Sequence, residues 1–240
     1  MRVAVVSDIH SNLVALDTVL EDVGPIDAVW QLGDVVGYGP DPDGVVARLR
    51  EIGAIGVRGN HDSAALGGSE IRWFNPEAAA AAEWTRDRIS GETRAWLDAL
   101  PLRHREGRAT LVHGSPRDPL REYIVDDDVA LANLELLTTP YALHGHTHLP
   151  VAFIADSPRV AIVVPHHGTT LVLDDRPTLI NPGSVGQPRD GDPRASYLVL
   201  DTEAWTVTWR RVAYDFGTVQ RAIRRAGLPR RLADRLAIGA

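Results

Sequence analysis

The sequence predicts an α/β fold, and three observations indicate that class. Short apolar runs alternate with helical patterns in the first half of the chain, and polar motifs follow directly after those runs. After residue 148 the pattern changes to β-rich segments separated by turns, which predicts a second sheet or an extension that faces the first. We expect one domain, residues 1–240, because a chain of 240 residues that is 44% hydrophobic buries one core of ordinary size.

The first three strand-helix units follow one another at a regular interval. The apolar run at residues 3–6 predicts a strand buried on both faces, and residues 13–23 predict a helix with Asn12 as its N-cap. Residues 28–32 and 52–57 predict the next two strands. Polar motifs follow these strands at intervals of 26 residues. This spacing suits parallel strands whose carboxyl ends form a shared crevice.

The remaining elements are predicted from the same kinds of pattern. Helices are predicted over about 43–51, 76–88 and 91–99. A further helix begins at Asp126-Asp127-Asp128, whose charges suit the positive end of a helix. The last 24 residues, with six arginines and one aspartate, predict an amphipathic solvated helix face. Further strands are predicted at 109–112, 141–144, 160–164, 170–173, 179–180, 196–200 and 206–212.

The composition excludes several kinds of site and partner. Because the chain has no cysteine, a bound metal needs histidine, carboxylate or amide ligands. The formal charge of −7 disfavours bulk nucleic acid as a partner, since sequence-independent affinity for nucleic acid comes from cationic side chains. No run of about 18 apolar residues and no signal-peptide pattern is present. We therefore expect no membrane partner and a cytoplasmic protein.

Five polar motifs follow strand-like segments and form the candidate functional site. They are Asp8-x-His10, Gly33-Asp34, Gly59-Asn60-His61-Asp62, His113 and Gly145-His146-x-His148. Because strand ends in an α/β sheet meet at one edge, we expect these side chains to converge. Imidazole, carboxylate and amide groups gathered in this way indicate a metal site.

The ordered motifs resemble those of the calcineurin-like metallophosphoesterase superfamily over nearly the whole chain. Residues 181–189, Asn-Pro-Gly-Ser-Val-Gly-Gln-Pro-Arg, further resemble the bacterial small-phosphodiesterase branch, whose members carry diadenosine-tetraphosphatase-like or protein-phosphatase-like names. The resemblance implies two facing mixed β-sheets flanked by helices, in a four-layer α/β/β/α sandwich. It also implies a metal-dependent phosphoesterase.

The resemblance further implies a centre with two divalent metal ions. One metal would be held by Asp8, His10, Asp34 and His148, and Asp34 would bridge to a second metal held by Asn60, His113 and His146. Two such cations against two carboxylates leave about two positive charges for hydroxide and phosphate. A metal-bridging hydroxide would attack phosphorus, and His61 would act as the general acid. We expect manganese for activity, with iron, zinc, cobalt and nickel as alternatives.

The expected substrate is a small phosphodiester or phosphomonoester. An alternative reaction is hydrolysis of a dinucleoside polyphosphate, whose phosphates Arg117 and Arg189 would bind. An alternative of a different class is a metal-containing interaction scaffold, as in the retromer subunit that resembles this fold. The presence of His61 and the full ligand set argues against that scaffold. The natural substrate and the formation of a homo-oligomer are left open.

One departure from the protein serine/threonine phosphatases concerns His61. Those enzymes have Gly-Asp-x-Val-Asp-Arg-Gly at the bridging aspartate, whereas residues 33–39 here read Gly-Asp-Val-Val-Gly-Tyr-Gly. The arginine is absent, and Gly37 replaces the aspartate that orients the acid histidine. Phosphoprotein dephosphorylation is therefore disfavoured. The sequence leaves Asp62, another carboxylate or a backbone carbonyl to orient His61.

Overall fold

Two six-stranded β-sheets face each other in the computed structural model, which describes residues 1–240. The strands are β1 (Arg2–Val6), β2 (Ala28–Gln31), β3 (Ile55–Gly56), β4 (Arg103–Glu106), β5 (Ala109–Val112), β6 (Tyr141–Leu143), β7 (Val151–Asp156), β8 (Arg159–Val163), β9 (Thr170–Val172), β10 (Thr178–Asn181), β11 (Ala195–Asp201) and β12 (Thr206–Val212). The α-helices are α1 (Leu13–Val23), α2 (Pro42–Glu51), α3 (Asn60–Ala65), α4 (Pro76–Arg86), α5 (Gly91–Ala99), α6 (Asp127–Leu134), α7 (Phe216–Arg225) and α8 (Arg230–Asp234). Short 3-10 helices occur at Ser69–Trp73 and Arg235–Ala237.

Both sheets are mixed, with a parallel part and an antiparallel part. The first has the order β3-β2-β1-β11-β12-β9, and the second has the order β4-β5-β6-β10-β7-β8. Strands β1, β2 and β3 are parallel to one another, as are β5, β6 and β10. Parallel strands bring their carboxyl ends to one edge of a sheet. The polar motifs follow the parallel strands of both sheets, so they lie at these edges.

Three apolar cores hold the layers together. The largest, with 29 buried residues, lies between the first sheet and helices that include α1, α2, α4 and α7. A core of 16 buried residues fills the space between the sheets and includes Val5 of β1, Leu111 of β5 and Trp209 of β12. The third packs Leu134 of α6 against Phe153 of the second sheet. This layering confirms the predicted α/β/β/α sandwich.

Helix α1 shows how the sequence places the first metal-site loop. The side chain of Asn12 accepts a hydrogen bond from the backbone N–H of Ala15 at 3.1 Å, and such a cap stabilises a helix by about 1 kcal/mol. Leu16 and Val19 then lie on the buried face, and the helix ends at Gly24 with a φ of 67°. Asn12 lies two positions after His10, so the start of the helix determines where the loop that carries His10 ends.

Several predicted elements differ from the structure. The strand predicted at 52–57 is shorter, because Ile52 caps α2 and Gly53 turns the chain with a φ of 63°. The strand predicted at 109–112 is present with those bounds and lies in the second sheet. Strand β4 was not predicted, since its sequence Arg-His-Arg-Glu has no apolar residue and forms a sheet edge. Strand β7 was missed although it carries an apolar run.

The carboxyl-terminal region forms two short helices rather than one. Helices α7 and α8 are separated by Gly227, which has a φ of 73°. Val219 and Ile223 bury one face of α7, so its amphipathic character is confirmed. No helix in the structure has the length and apolar character needed to cross a membrane.

Candidate metal centre

The predicted ligands converge at the shared edge of the two sheets. They lie after strands β1, β2, β3, β5 and β6, so both sheets contribute to one site. Two groups of three side chains each have their ligand atoms within 4.8 Å of one another: Asp8, His10 and His148, and Asp34, His113 and His146. The predicted ligand Asn60 lies beside the second group.

The first group consists of Asp8, His10 and His148. The Nε2 atoms of the two imidazoles are 3.1 Å apart, and Nε2 of His148 lies 3.3 Å from Oδ1 of Asp8. Nδ1 of His10 lies 3.2 Å from the Val36 carbonyl, and Nδ1 of His148 lies 2.5 Å from the Gln187 carbonyl. A proton on each Nδ1 leaves each Nε2 as a free lone pair for a metal.

In the second group, His113 and His146 lie beside the predicted ligand Asn60. Nε2 of His113 lies 3.1 Å from Nδ1 of His146 and 2.9 Å from Oδ1 of Asn60. Nδ1 of His113 lies 2.9 Å from the Leu32 carbonyl, and Nε2 of His146 lies 3.3 Å from the Arg121 carbonyl. His146 therefore presents Nδ1 to the site, whereas His113 presents Nε2. This difference in tautomer follows from the position of the carbonyl behind each ring.

Asp34 lies between the two groups. Its Oδ2 is 3.7 Å from Nε2 of His10 in the first group and 3.4 Å from Nε2 of His113 in the second. Its Oδ1 accepts a hydrogen bond from the backbone N–H of His61 at 2.8 Å, at the amino end of α3. The carboxylate is thus held by a backbone donor while its other oxygen faces both groups. This is the position that a bridging ligand requires.

The donor set fits divalent cations. Oδ1 of Asp8 is buried and has no hydrogen-bond partner, while Oδ2 accepts from the Ser7 hydroxyl at 2.7 Å and from the His146 backbone N–H at 3.1 Å. A buried carboxylate oxygen without a donor is costly, and a cation among the facing lone pairs would compensate it. Nitrogen and oxygen donors of this kind suit manganese, iron, zinc, cobalt and nickel.

The electrostatics of both groups also favour a bound cation. Burial by itself lowers the pKa of His113, but the Asp34 carboxylate outweighs it and raises that pKa to about 9. Burial raises the pKa of Asp8 to about 7. Burial lowers the pKa of His10, His146 and His148 well below the ordinary value, so these imidazoles are neutral at neutral pH. Neutral imidazole is the form that binds a metal.

Backbone strain is concentrated in the ligand loops. Eight non-glycine residues have a positive φ, and five of them are predicted ligands: Asp8, His10, Asp34, His146 and His148. The left-handed region is disfavoured for residues with a Cβ, at a cost of order 1–3 kcal/mol each. Such strain persists only where the surrounding structure holds it, and here it directs ligand side chains toward one point.

Glycines allow the ligand loops to approach one another. An added Cβ at Gly59 would lie 2.1 Å from Oδ1 of Asp34, and one at Gly145 would lie 1.9 Å from Oγ of Ser7. Either contact is far shorter than a van der Waals distance. The glycine before Asn60 and the glycine before His146 are therefore required by packing.

His61, the predicted general acid, lies in an aromatic cage. Its ring stacks on Phe74 at a centroid distance of 4.4 Å and an angle of 26°, and it also contacts Tyr38 and His10. Nδ1 of His61 is buried and has no hydrogen-bond partner. Burial lowers the pKa of His61 to about 4. Aromatic packing therefore sets the orientation of this ring.

None of the three candidates that the sequence left open for orienting His61 forms a hydrogen bond with Nδ1 of its ring. Asp62 instead accepts hydrogen bonds from the backbone N–H groups of Val36 at 3.0 Å and Gly59 at 2.9 Å, and so it caps α3. Gly37 does lie against the ring, since an added Cβ there would be 2.7 Å from Nδ1 of His61. A side chain at position 37 would thus meet the imidazole directly.

The two predicted phosphate-binding arginines have different surroundings. Arg117 is half exposed and pairs with Glu122, with its Nε 2.9 Å from Oε1. Arg189 donates to Oε1 of Gln187 at 3.0 Å, and its buried Nε has no partner. Gln187 also supplies the carbonyl behind His148, so Arg189 lies near the first group.

Sequence reasoning missed the residues that support the ligands. The Ser184 hydroxyl donates to the Asp8 carbonyl at 2.8 Å, and the backbone N–H of Gly186 donates to the same carbonyl at 3.0 Å. Both lie in the stretch 181–189, which was noted only as a mark of family resemblance. Its proximity to the ligand loops shows that the stretch is a structural support for the first group.

Comparison with known proteins finds relatives that cover most of the chain. A protein of Methanocaldococcus jannaschii described as uncharacterized is 37% identical over 99% of this chain and 98% of its own length. The phosphodiesterase YfcE of Escherichia coli K12 is 29% identical over 86% of this chain and 91% of its own length. A crystal structure of a metallophosphoesterase from Sphaerobacter thermophilus superposes with a TM-score of 0.92 at 44% identity, covering 100% of this chain and 99% of that chain.

The fold and the site together define the class of protein. A sandwich of two mixed sheets with two carboxylate–histidine groups at their shared edge is that of a metal-dependent phosphoesterase, a hydrolase of phosphoric esters. The family model of the calcineurin-like phosphoesterase superfamily domain matches residues 1–204. The chain belongs to that superfamily, which confirms the resemblance drawn from its motifs.

Proposed function

We propose that this protein hydrolyses a small phosphodiester or phosphomonoester with two divalent metal ions, and that His61 is its general acid. The observation that carries the proposal is the position of Asp34 Oδ2, within 3.7 Å of His10 Nε2 and 3.4 Å of His113 Nε2. One carboxylate shared by two histidine groups suits a pair of metals that act on a single phosphoryl group.

Each group has residues that would hold one metal. Asp8, His10 and His148 would hold the first metal, Asn60, His113 and His146 would hold the second, and Asp34 would serve both. When bound, the metals supply hydroxide near neutral pH and neutralise charge on the phosphoryl oxygens. We propose manganese for activity, with iron, zinc, cobalt and nickel as alternatives, because this donor set accepts all of them.

His61 would deliver the proton that the leaving oxygen needs. It is adjacent to Asn60 in the chain, and its ring is fixed by Phe74 and Tyr38 rather than by a hydrogen bond to Nδ1. Its pKa of about 4 means that the imidazole is neutral at pH 7. A nearby phosphate anion raises the pKa of an imidazole. Protonation of His61 would therefore accompany substrate binding.

Arg189 is the better placed of the two arginines to bind phosphate. Its guanidinium lies near the first group, and its Nε has no partner, whereas Arg117 is already paired with Glu122. We further propose a cytoplasmic enzyme whose partner is a small phosphorylated substrate, without bulk nucleic acid or a membrane. Formation of a homo-oligomer is compatible with this role.

Hydrolysis of bis-p-nitrophenyl phosphate tests the proposal. Protein loaded separately with each of the five metals is assayed, and metal content is measured on the same samples. We expect turnover that EDTA abolishes and that the metal restores. Full metal loading without turnover of this diester or of p-nitrophenyl phosphate would refute the reaction. The same result would favour the non-catalytic scaffold.

A further inference from the structure

A cavity of about 310 Å³ lies beside the second metal group. Asn60 and His146, two of the ligands of that group, line it, so anything bound there is adjacent to the phosphoryl site. The rest of its lining comes from the 3-10 helix after α3 and from the segment after β5. These residues are Glu70, Trp73, Phe74, Leu120, Arg121 and Tyr123. None of these six residues is a proposed metal ligand or the proposed general acid, so the proposed function gives them no role.

Two aromatic rings that line the cavity stack on histidines of the site. Tyr123 stacks on His146 with ring centroids 3.8 Å apart and an angle of 23°. Phe74 stacks on His61 at 4.4 Å, and Trp73 next to it is 73% exposed. Tyr123 is 47% exposed. Large aromatic side chains so exposed beside a reactive centre indicate a binding surface.

The charge of the lining selects against one class of ligand. Glu70 contributes a carboxylate, and the one cationic side chain, Arg121, is 3.3 Å from Asp118 and is thus already paired. A long phosphate chain entering this cavity would meet Glu70 without an unpaired cation to offset it. An uncharged planar ring instead finds rings to stack against, and π-stacking of this kind is tolerant of the ring's identity.

We propose that this cavity binds a planar aromatic group, a nucleobase or an aryl ring, carried by one ester arm of the substrate. The inference rests on the proposed function, because it places the phosphoryl group at the metals. It makes Trp73 and Tyr123 determinants of specificity. The substrate class of this site is then phosphoesters with an aromatic ester arm. Dinucleoside polyphosphates bound through their phosphate chain do not belong to that class.

Calorimetric titration of the manganese-loaded protein with two phosphonates tests the proposal. Phenylphosphonate and cyclohexylphosphonate have similar size and the same anionic group, their C–P bond resists hydrolysis, and only the first has a planar ring. We expect phenylphosphonate to bind about 10-fold more tightly, as stacking predicts. The phosphonate analogues of adenosine 5′-monophosphate and ribose 5-phosphate, whose C–P bond likewise resists hydrolysis, distinguish a nucleobase from a simple aryl ring when they are measured in the same way.

Variants of the two exposed rings localise the effect. We expect Trp73→Leu and Tyr123→Leu each to reduce the ratio of the two phosphonate affinities by several-fold, and Trp73→Phe to retain most of it. Trp205→Leu, a change on a tryptophan that packs against Tyr141 instead, is the matched control. Because Trp73 is 73% exposed, its replacement removes little core packing.

Two results would overturn the inference. One is equal binding of the two phosphonates to the wild-type protein. The other is a binding ratio unchanged in both leucine variants that retain wild-type thermal unfolding and metal content. These outcomes are separate from the failure of the proposed reaction. If the protein shows no turnover but binds phenylphosphonate more tightly, the proposed reaction fails and the cavity proposal stands. If it hydrolyses diesters but binds both phosphonates equally, the cavity proposal fails and the reaction stands.

Discussion

The two metal groups differ in how they are enclosed. Asp8, His10 and His148 of the first group are 0–2% exposed, and backbone carbonyls of buried residues orient both imidazoles. In the second group Asn60 and His146 are 6% and 4% exposed and line an open cavity. The carbonyl behind His146 belongs to Arg121, whose side chain is 59% exposed. The first group is thus enclosed by buried residues, whereas one side of the buried second group, at Asn60 and His146, borders a cavity.

This difference separates two tasks within one centre. A ligand group fixed by buried neighbours holds its metal in one geometry, since outer contacts orient the ligands and raise affinity. A group that borders a cavity leaves room for substrate oxygens. Under the proposed function, substrate would therefore enter from the side of the second group, and Asp34 would connect that group to the enclosed first group.

The largest expected effect follows removal of that connection. Asp34→Ala deletes the one carboxylate that both groups share, so we expect loss of metal from both groups and hydrolysis of bis-p-nitrophenyl phosphate at the level of the buffer blank. Metal analysis and the assay are run beside Asp87→Ala, an exposed aspartate on another helix end. Retention of two metals in Asp34→Ala would contradict the bridging role.

Removal of the proton donor should have the next largest effect. His61→Gln keeps both metals, and we expect its turnover of alkyl esters to fall by about 10²–10⁴-fold. Turnover of p-nitrophenyl esters should fall much less, because nitrophenolate leaves without a proton. Kinetics with both ester types measure this difference, and His104→Gln on β4 is the control. An equal loss for both esters would argue for a positional role instead.

Because the two groups differ in enclosure, we expect the same histidine-to-glutamine substitution to reduce metal affinity by different amounts in each group. We expect His148→Gln to weaken metal binding at its group about 100-fold and His146→Gln about 10-fold, within the range known for metal-site changes. Water from the cavity can replace the imidazole of His146, whereas His148 is 2% exposed. Titration with a competing chelator measures both affinities. Equal losses would remove the distinction between the groups.

A smaller effect tests the burial of Tyr214, an 8% exposed residue of the largest apolar core. Burial raises the pKa of Tyr214 to about 12, so this phenol stays neutral in the folded protein at a pH where the unfolded chain ionises it. Stability from this source is complete below pH 10 and is lost as pH rises from 10 to 12. At pH 11 this ionisation lowers the free energy of unfolding of the wild-type protein by about 1 kcal/mol. Tyr214→Phe should not show this decrease, because phenylalanine does not ionise.

Chemical denaturation at pH 8 and pH 11 measures this change. The variant should differ from wild type in the pH dependence of its stability rather than only in its stability at pH 8. An identical decline with pH in both proteins would show that Tyr214 ionises as freely as in the unfolded chain.

The sequence predicted which side chains converge, because each strand-end loop carries its donors in a short motif. Asp8-x-His10 and His146-x-His148 are local patterns, and the rule that parallel strands end at one edge brings them together. The element types near these loops were accurate for the same reason. The sheet that residues 109–112 join could not be predicted, because strand neighbours depend on pairing that local sequence does not encode.

Orientation of His61 could not be predicted for a related reason. The sequence offered a carboxylate or a carbonyl as its partner, whereas the ring is held by Phe74, which lies 13 positions along the chain in a different segment. Stacking between distant residues leaves no spacing signal. The support from Ser184 and Gly186 was likewise invisible, although the stretch that contains them was singled out.

The glycines next to the ligands bear on how such proteins are recognised. Gly59 and Gly145 have no space for a Cβ because neighbouring loops occupy it, whatever the site binds. A descendant that lost its metals would still need these glycines to fold, while its histidines would be free to change. Within a motif such as Gly-Asn-His, the glycine therefore indicates that a protein shares this fold. The side chains after the glycine indicate whether the protein still binds metal and catalyses the reaction.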